Sequence, residues 1–161
     1  MTVTKPVVVL GMSQGGAAAI SYATRFPENV SKLVLYGAYA RGWNGRENAE
    51  AAQRYRAIVD LTRLGWGQNN PVYRQLFTSR FVPHATPEQV DWFNELCRRT
   101  TTPEVATQLL MARGEVDIRE LLPQVSVPTL VLHASDDEVV PLSEGRLLAS
   151  TIPGAEFVQL E

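Results

Sequence analysis

Four short apolar runs punctuate the chain: Val7 to Leu10, Leu33 to Tyr36, Leu130 to His133 and Phe157 to Leu160. They are rich in Val and Leu, and the first three show little alternation, the pattern of parallel strands covered on both faces. Between the first two lies Gly15 to Phe26, alanine-rich and ended by Pro27. Between the last two lies Pro141 to Ile152, with Leu147, Leu148 and Ile152 on one helical face and Pro153-Gly154 as a stop. Each pair predicts a right-handed strand-helix-strand unit. Residues 41–125 read as a helical insertion whose starts are Asn70-Pro71, Thr86-Pro87 and Thr102-Pro103, each a capping side chain before a proline that lacks the N–H the first turn cannot use. Thr86 with Gln89 fits a capping box. The helix at about 87–99 places Val90, Phe93 and Cys97 on one side, with Trp92 and Leu96 widening that face. The predicted organisation is one discontinuous α/β core, residues 1–40 and 126–161, interrupted by helices over 41–125.

Composition narrows the possibilities. With 161 residues, 45% of them apolar and 20% charged, the chain can bury one core. Its net charge of −2 lacks the cationic excess that polyanion recognition requires, so no nucleic acid partner is expected. The arginines between Arg41 and Arg80 read as a solvated helix face, not as a binding patch. Lys5, Val7 to Met12 and Ala17 to Ala19 imitate a signal peptide, but Ser13 to Gly16 interrupt the apolar run. No stretch approaches the ~18 apolar residues of a membrane span, so a soluble protein with no membrane partner is expected. Cys97 is the single cysteine and has neither a disulfide partner nor a metal-ligand companion. It reads as a core thiol in a cytoplasmic protein with no metal or cofactor.

The segment Val7-Val8-Val9-Leu10-Gly11-Met12-Ser13-Gln14-Gly15-Gly16 carries the chemistry. It reads strand, G-x-S-x-G, helix, the context of a nucleophile elbow. A serine on so sharp a turn brings the residues two before and two after it together, which accounts for Gly11 and Gly15. The turn aims the Gln14 backbone N–H above Ser13 and sets the positive end of the following helix beneath it, and both favour negative charge developing on an acyl oxygen. A glycine-rich nucleotide-binding turn is the other reading of such a segment, but neither G-x-G-x-x-G nor a P-loop lysine-serine pair is present.

A second motif, His133-Ala134-Ser135-Asp136-Asp137-Glu138-Val139-Val140-Pro141, follows the third strand. With the elbow, with Tyr36-Gly37-Ala38-Tyr39-Ala40-Arg41-Gly42 and with Pro141 to Glu161, it makes nearly the whole chain resemble the C-terminal part of an α/β-hydrolase. The likeness is greatest to hydrolase domains joined to bacterial regulators and cyclases. The resemblance implies a partial α/β-hydrolase fold of about four parallel strands with flanking helices, residues 41–125 forming the family's variable cap. It implies Ser13 as nucleophile, Gln14 N–H in the oxyanion hole, and Asp137 as triad acid, three positions after Ala134, which replaces a usual glycine. Asp136 then caps or solvates the loop. The substrate implied is a carboxylic ester or related small acyl compound, met by the cap residues Trp43, Tyr55, Trp66, Phe77 and Trp92, most of which pack the cap itself.

A triad also needs an imidazole bonded to both serine and acid. The family places it in a loop after the last strand, past Glu161. Of the two histidines present, His84 reads as a surface loop residue and His133 as a residue of the strand end, one strand removed from Ser13. The family's second oxyanion donor, from an early strand, has no counterpart either. The expectation is a chain that is catalytically silent or nearly so as it stands, or, in a different class, a non-catalytic ligand-binding or regulatory domain of hydrolase descent. The strand Val7 to Leu10, central in a complete member, becomes an apolar edge here and predicts a homo-oligomer that buries it.

Overall fold

The computed structural model describes residues 5–46, 49–66, 68 and 71–161. The Asn70 cap expected before Pro71 lies outside them. Four strands, β1 (Val7–Met12), β2 (Val30–Tyr36), β3 (Thr129–Ala134) and β4 (Glu156–Leu160), form a parallel sheet in the order β1-β2-β3-β4. Every apolar run of the sequence lies in one of them. Helix α1 (Gly15–Arg25) joins β1 to β2 and α6 (Leu142–Thr151) joins β3 to β4. α1 ends where the Phe26 N–H donates to the Tyr22 carbonyl and Pro27 blocks continuation.

Chain order equals strand order, so crossovers of one hand put the connecting helices on one face. The core confirms this: Ala19, Ile20 and Ala23 of α1 share one cluster with Leu33, Leu35 and Val131 of the sheet and with Leu148 and Ile152 at α6. Burial alternates along β3, with Thr129, Val131 and His133 inside and their neighbours half-exposed. The uniform two-sided covering expected from the apolar runs is therefore corrected. On the face opposite α1 and α6, Val8 (61%), Leu10 (60%) and Met12 (57%) are exposed.

The described chain divides into two compact units, one of residues up to 42 with 116–161, the other of residues 43–115. The insertion thus closes earlier than the boundary at 125 read from the sequence. Its two ends are tied as a short antiparallel bridge: the Gly42 N–H donates to the Val116 carbonyl at 2.6 Å, the Ile118 N–H to the Ala40 carbonyl at 3.0 Å, and Arg41 pairs with Asp117. After it, Leu122 and Val125 enter the sheet's core.

The second unit is helical: α2 (Ala49–Gly65), α3 (Pro71–Phe81), α4 (Pro87–Thr100) and α5 (Pro103–Gly114). Thr86 and Gln89 form the expected capping box, and the Thr102 hydroxyl accepts from the Val105 N–H. Trp43 stacks on Tyr55 at 5.6 Å, while Trp66, Tyr73 and Ala106 form another cluster against which Phe77 and Cys97 pack. Burial pushes the Cys97 thiol upward, as befits a packed thiol. Trp92 (65%) and Leu96 (41%) do not widen the buried face of α4 as their spacing suggested. Several arginines of the basic stretch are engaged: Arg54 pairs with Glu50, Arg63 with Asp60, and Arg80 lies over the Tyr55 ring. Among the described residues no helix is long and apolar enough to cross a membrane.

Candidate active site

The carboxyl ends of β1, β2 and β3 lie side by side, the edge where open parallel sheets hold their chemistry. β1 ends at Met12, and Ser13 follows in the left-handed region at φ 49, the one non-glycine residue with positive φ among those described. Holding a serine there costs about 1–3 kcal/mol, and the surroundings must supply it. They do so through the backbone: the Ser13 N–H continues the sheet ladder onto the Tyr36 carbonyl at 2.9 Å, and the Gly16 N–H returns to the Ser13 carbonyl at 3.0 Å. Gln14 then adopts helical dihedrals as the N-cap of α1. Its N–H belongs to the first-turn amides that have no intrahelical acceptor.

Sterics assign the glycines differently from the motif. A Cβ on Gly11 would meet the Ala19 Cβ at 2.7 Å and the Gly16 Cα at 2.8 Å, and one on Gly16 would meet the Ala38 Cβ at 2.4 Å. A Cβ on Gly15 meets nothing within 4 Å. The close approach runs between Gly11 and Gly16, where α1 crosses β1 and the end of β2, so Gly15 is not the glycine the turn requires.

Asp137 sits in the loop after β3. Its Oδ1 accepts from the backbone N–H groups of Val139 at 2.8 Å and Val140 at 2.7 Å, which fixes the carboxylate and leaves Oδ2 to face elsewhere. Asp137 itself thus makes the loop's capping turn, which leaves the exposed Asp136 the solvating one of the two roles expected of it. Oδ2 lies against Gly37, at the end of β2: a Cβ there would stand 3.4 Å from it, and Gly37 holds φ +54. The middle strand therefore carries a bare backbone beneath the carboxylate, and the strand next to it carries Ser13. Gly37 was not singled out from the sequence, although a glycine directly after a strand is the available signal.

His133 is fully buried and its Nε2 donates to the Val140 carbonyl at 2.9 Å. Asp137 Oδ2 is 3.8 Å from that nitrogen, too far for a hydrogen bond. Nδ1 has no hydrogen-bond partner and abuts Gly145, where a Cβ would stand 2.5 Å away. With one nitrogen bonded to backbone and the other walled off by α6, this imidazole is not presented to a nucleophile. His84 lies in the helical unit beside Pro83, Trp92 and Phe93, around an apolar cleft.

A family model described as serine aminopeptidase S33 matches residues 2–159. The chain belongs to this family of α/β-hydrolases. This α/β-hydrolase is 29% identical over 152 residues to the AB hydrolase superfamily protein YisY of Bacillus subtilis, a match covering 94% of the chain and 56% of the relative. It is 27% identical to a pimeloyl-[acyl-carrier protein] methyl ester esterase of Neisseria meningitidis, covering 97% of the chain and 60% of the relative. An esterase from Exiguobacterium antarcticum superposes with a TM-score of 0.80 at 25% identity, over 98% of this chain and 59% of the esterase. The α/β-hydrolase described here thus spans a little over half the length of these relatives.

Proposed function

We propose that this chain carries the nucleophile and acid of a serine hydrolase acting on carboxylic esters or related acyl compounds. Ser13 attacks the acyl carbon, the Gln14 N–H receives the developing oxyanion, and Asp137 Oδ2 orients the imidazolium that forms when the serine proton is removed. The observation that carries this reading is the serine held at φ 49 on a strand-to-helix turn. No structural duty of the turn demands a side chain in that conformation. Two of the relatives have ester hydrolysis in their names, which supports the choice of acyl chemistry. We take neither His84, read from the sequence as a surface loop residue, nor His133, whose Nε2 is bonded to the Val140 carbonyl, as the source of the imidazole. The chain as it stands then turns over slowly, since removing the base of a triad costs several powers of ten.

A fluorophosphonate probe followed by peptide mass spectrometry tests the nucleophile: Ser13 takes up the label and Ser13→Ala does not. Hydrolysis of p-nitrophenyl butyrate tests the base. Added imidazole raises the Ser13-dependent rate saturably, and Asp137→Asn weakens that response. Failure of an excess of probe to modify Ser13 overturns the reading of Ser13. Full turnover without added imidazole overturns the reading of the base.

A further inference from the structure

The sheet unit contains a buried carboxylate that the chemistry above does not use. Glu144, in the first turn of α6, is 1% exposed. Its Oε1 accepts from Arg41 Nε at 3.2 Å and from an Arg41 terminal nitrogen at 3.0 Å, and its Oε2 accepts from the Arg41 backbone N–H at 3.2 Å. This is a charge-assisted fork plus a main-chain bond between residues 103 positions apart, unlike the exposed i,i+4 pairs of the helical unit. Burying such a pair gains little stability over an apolar pair of similar volume, so its value lies in the geometry it imposes.

That geometry closes a ring through the candidate site. Gly37, beneath Asp137 Oδ2, leads through three residues to Arg41. Arg41 grips Glu144, whose own N–H donates to the Pro141 carbonyl at 2.9 Å. Pro141 directly follows Val139 and Val140, whose amides hold Asp137 Oδ1. The interior is filled by Tyr39, fully buried against Val139 and Val140. The Arg41 backbone N–H, the Glu144 N–H and the Val139 and Val140 N–H groups tie Glu144 and the loop to main chain, so displacing Glu144 moves the loop that aims Asp137.

We propose that Arg41 and Glu144 are a positioning pair for Asp137, fixing the height and direction of its carboxylate above the end of β2. This rests on the reading of Asp137 as the acid of the serine site. Neither residue touches the reacting groups; they act through the Asp137–Pro141 loop and the Gly37–Arg41 segment.

Two measurements on the whole chain test it. In amide hydrogen exchange, Glu144→Gln speeds exchange of the Val139 and Val140 amides about tenfold while those of Leu35 and Val131 in the sheet keep their rates. An unchanged loop overturns the proposal, and so does an equal rise in the sheet, which would make the pair a general stabiliser. Arg41→Lys keeps the charge but not the fork. It gives a smaller rise confined to the same two amides, and it carries the test if Glu144→Gln does not fold. In the imidazole-dependent ester assay, Glu144→Gln raises the half-saturating imidazole concentration about tenfold, within the penalty for slight misplacement of a reacting group. An unaltered half-saturation overturns the proposal. If Ser13 accepts no probe in the parent chain, the serine reading fails, and the exchange experiment still decides whether the pair holds the loop.

Discussion

Ser13, Gly11, Gly16 and Asp137 each occupy their positions for a distinct physical reason. The serine is held at φ 49 by a ladder bond from its N–H to the Tyr36 carbonyl and a turn bond from the Gly16 N–H to its carbonyl. Gly11 and Gly16 are small because α1 presses onto the strand ends there. A graded pair of substitutions follows. Gly16→Ala, which would bring two Cβ atoms to 2.4 Å, lowers stability by about 1–3 kcal/mol through overpacking. Gly15→Ala, with nothing within 4 Å, stays within about 0.5 kcal/mol of the parent. Urea denaturation of both variants checks the ranking, and equal losses would restore the assignment made from the motif. Sequence spacing placed Ser13 on a strand-to-helix turn and Asp137 in the loop after β3 because the backbone around each is local. It misassigned the second glycine because the atom that excludes a side chain, on Ala38, lies 22 positions from Gly16.

The elements were legible wherever a local rule governs them. Thr86-Pro87 and Thr102-Pro103 start helices as read, since a cap bonds to an amide three residues away. The run Leu33 to Tyr36 gave a strand that in fact begins at Val30, its start set by pairing with β1 and not by its own apolarity. The antiparallel bridge at 41–42 and 116–118 escaped the sequence because its partners are far apart in the chain. Its charges give a pH prediction. Hydrogen bonds from Arg119 pull the Asp117 carboxyl from 3.8 down to about 2, with the Arg41 charge adding in the same direction. A lowered acid pKa stabilises the fold above the ordinary value and is lost as pH falls through the lowered one. The contribution of this exposed pair is thus complete above about pH 4 and fades toward about pH 2. NMR titration of the Asp117 carboxyl should show a midpoint near 2, returning toward 3.8 in Arg119→Gln.

For the molecule as it stands, β1 has one hydrogen-bonded neighbour among the described strands, β2, and Val8 and Leu10 are more than half exposed. We propose that this strand edge pairs with a second copy of the chain. Light scattering at micromolar concentration should report a dimer or larger species, which Leu10→Lys shifts toward monomer; a monomeric parent contradicts this. By itself the sequence determined the α/β class, the strand-turn-helix that carries Ser13, the loop that carries Asp137 and the helical character of the insertion. All of these are written in patterns a few residues long, where backbone sterics and hydrogen bonds act between near neighbours. The tertiary structure alone decided that the connecting helices share one face, that Gly37 lies under the carboxylate, that His133 bonds Val140, and that Arg41 and Glu144 close the ring around Tyr39. Each depends on which residues the parallel crossovers bring together, and that follows from burying one shared core, not from any local spacing.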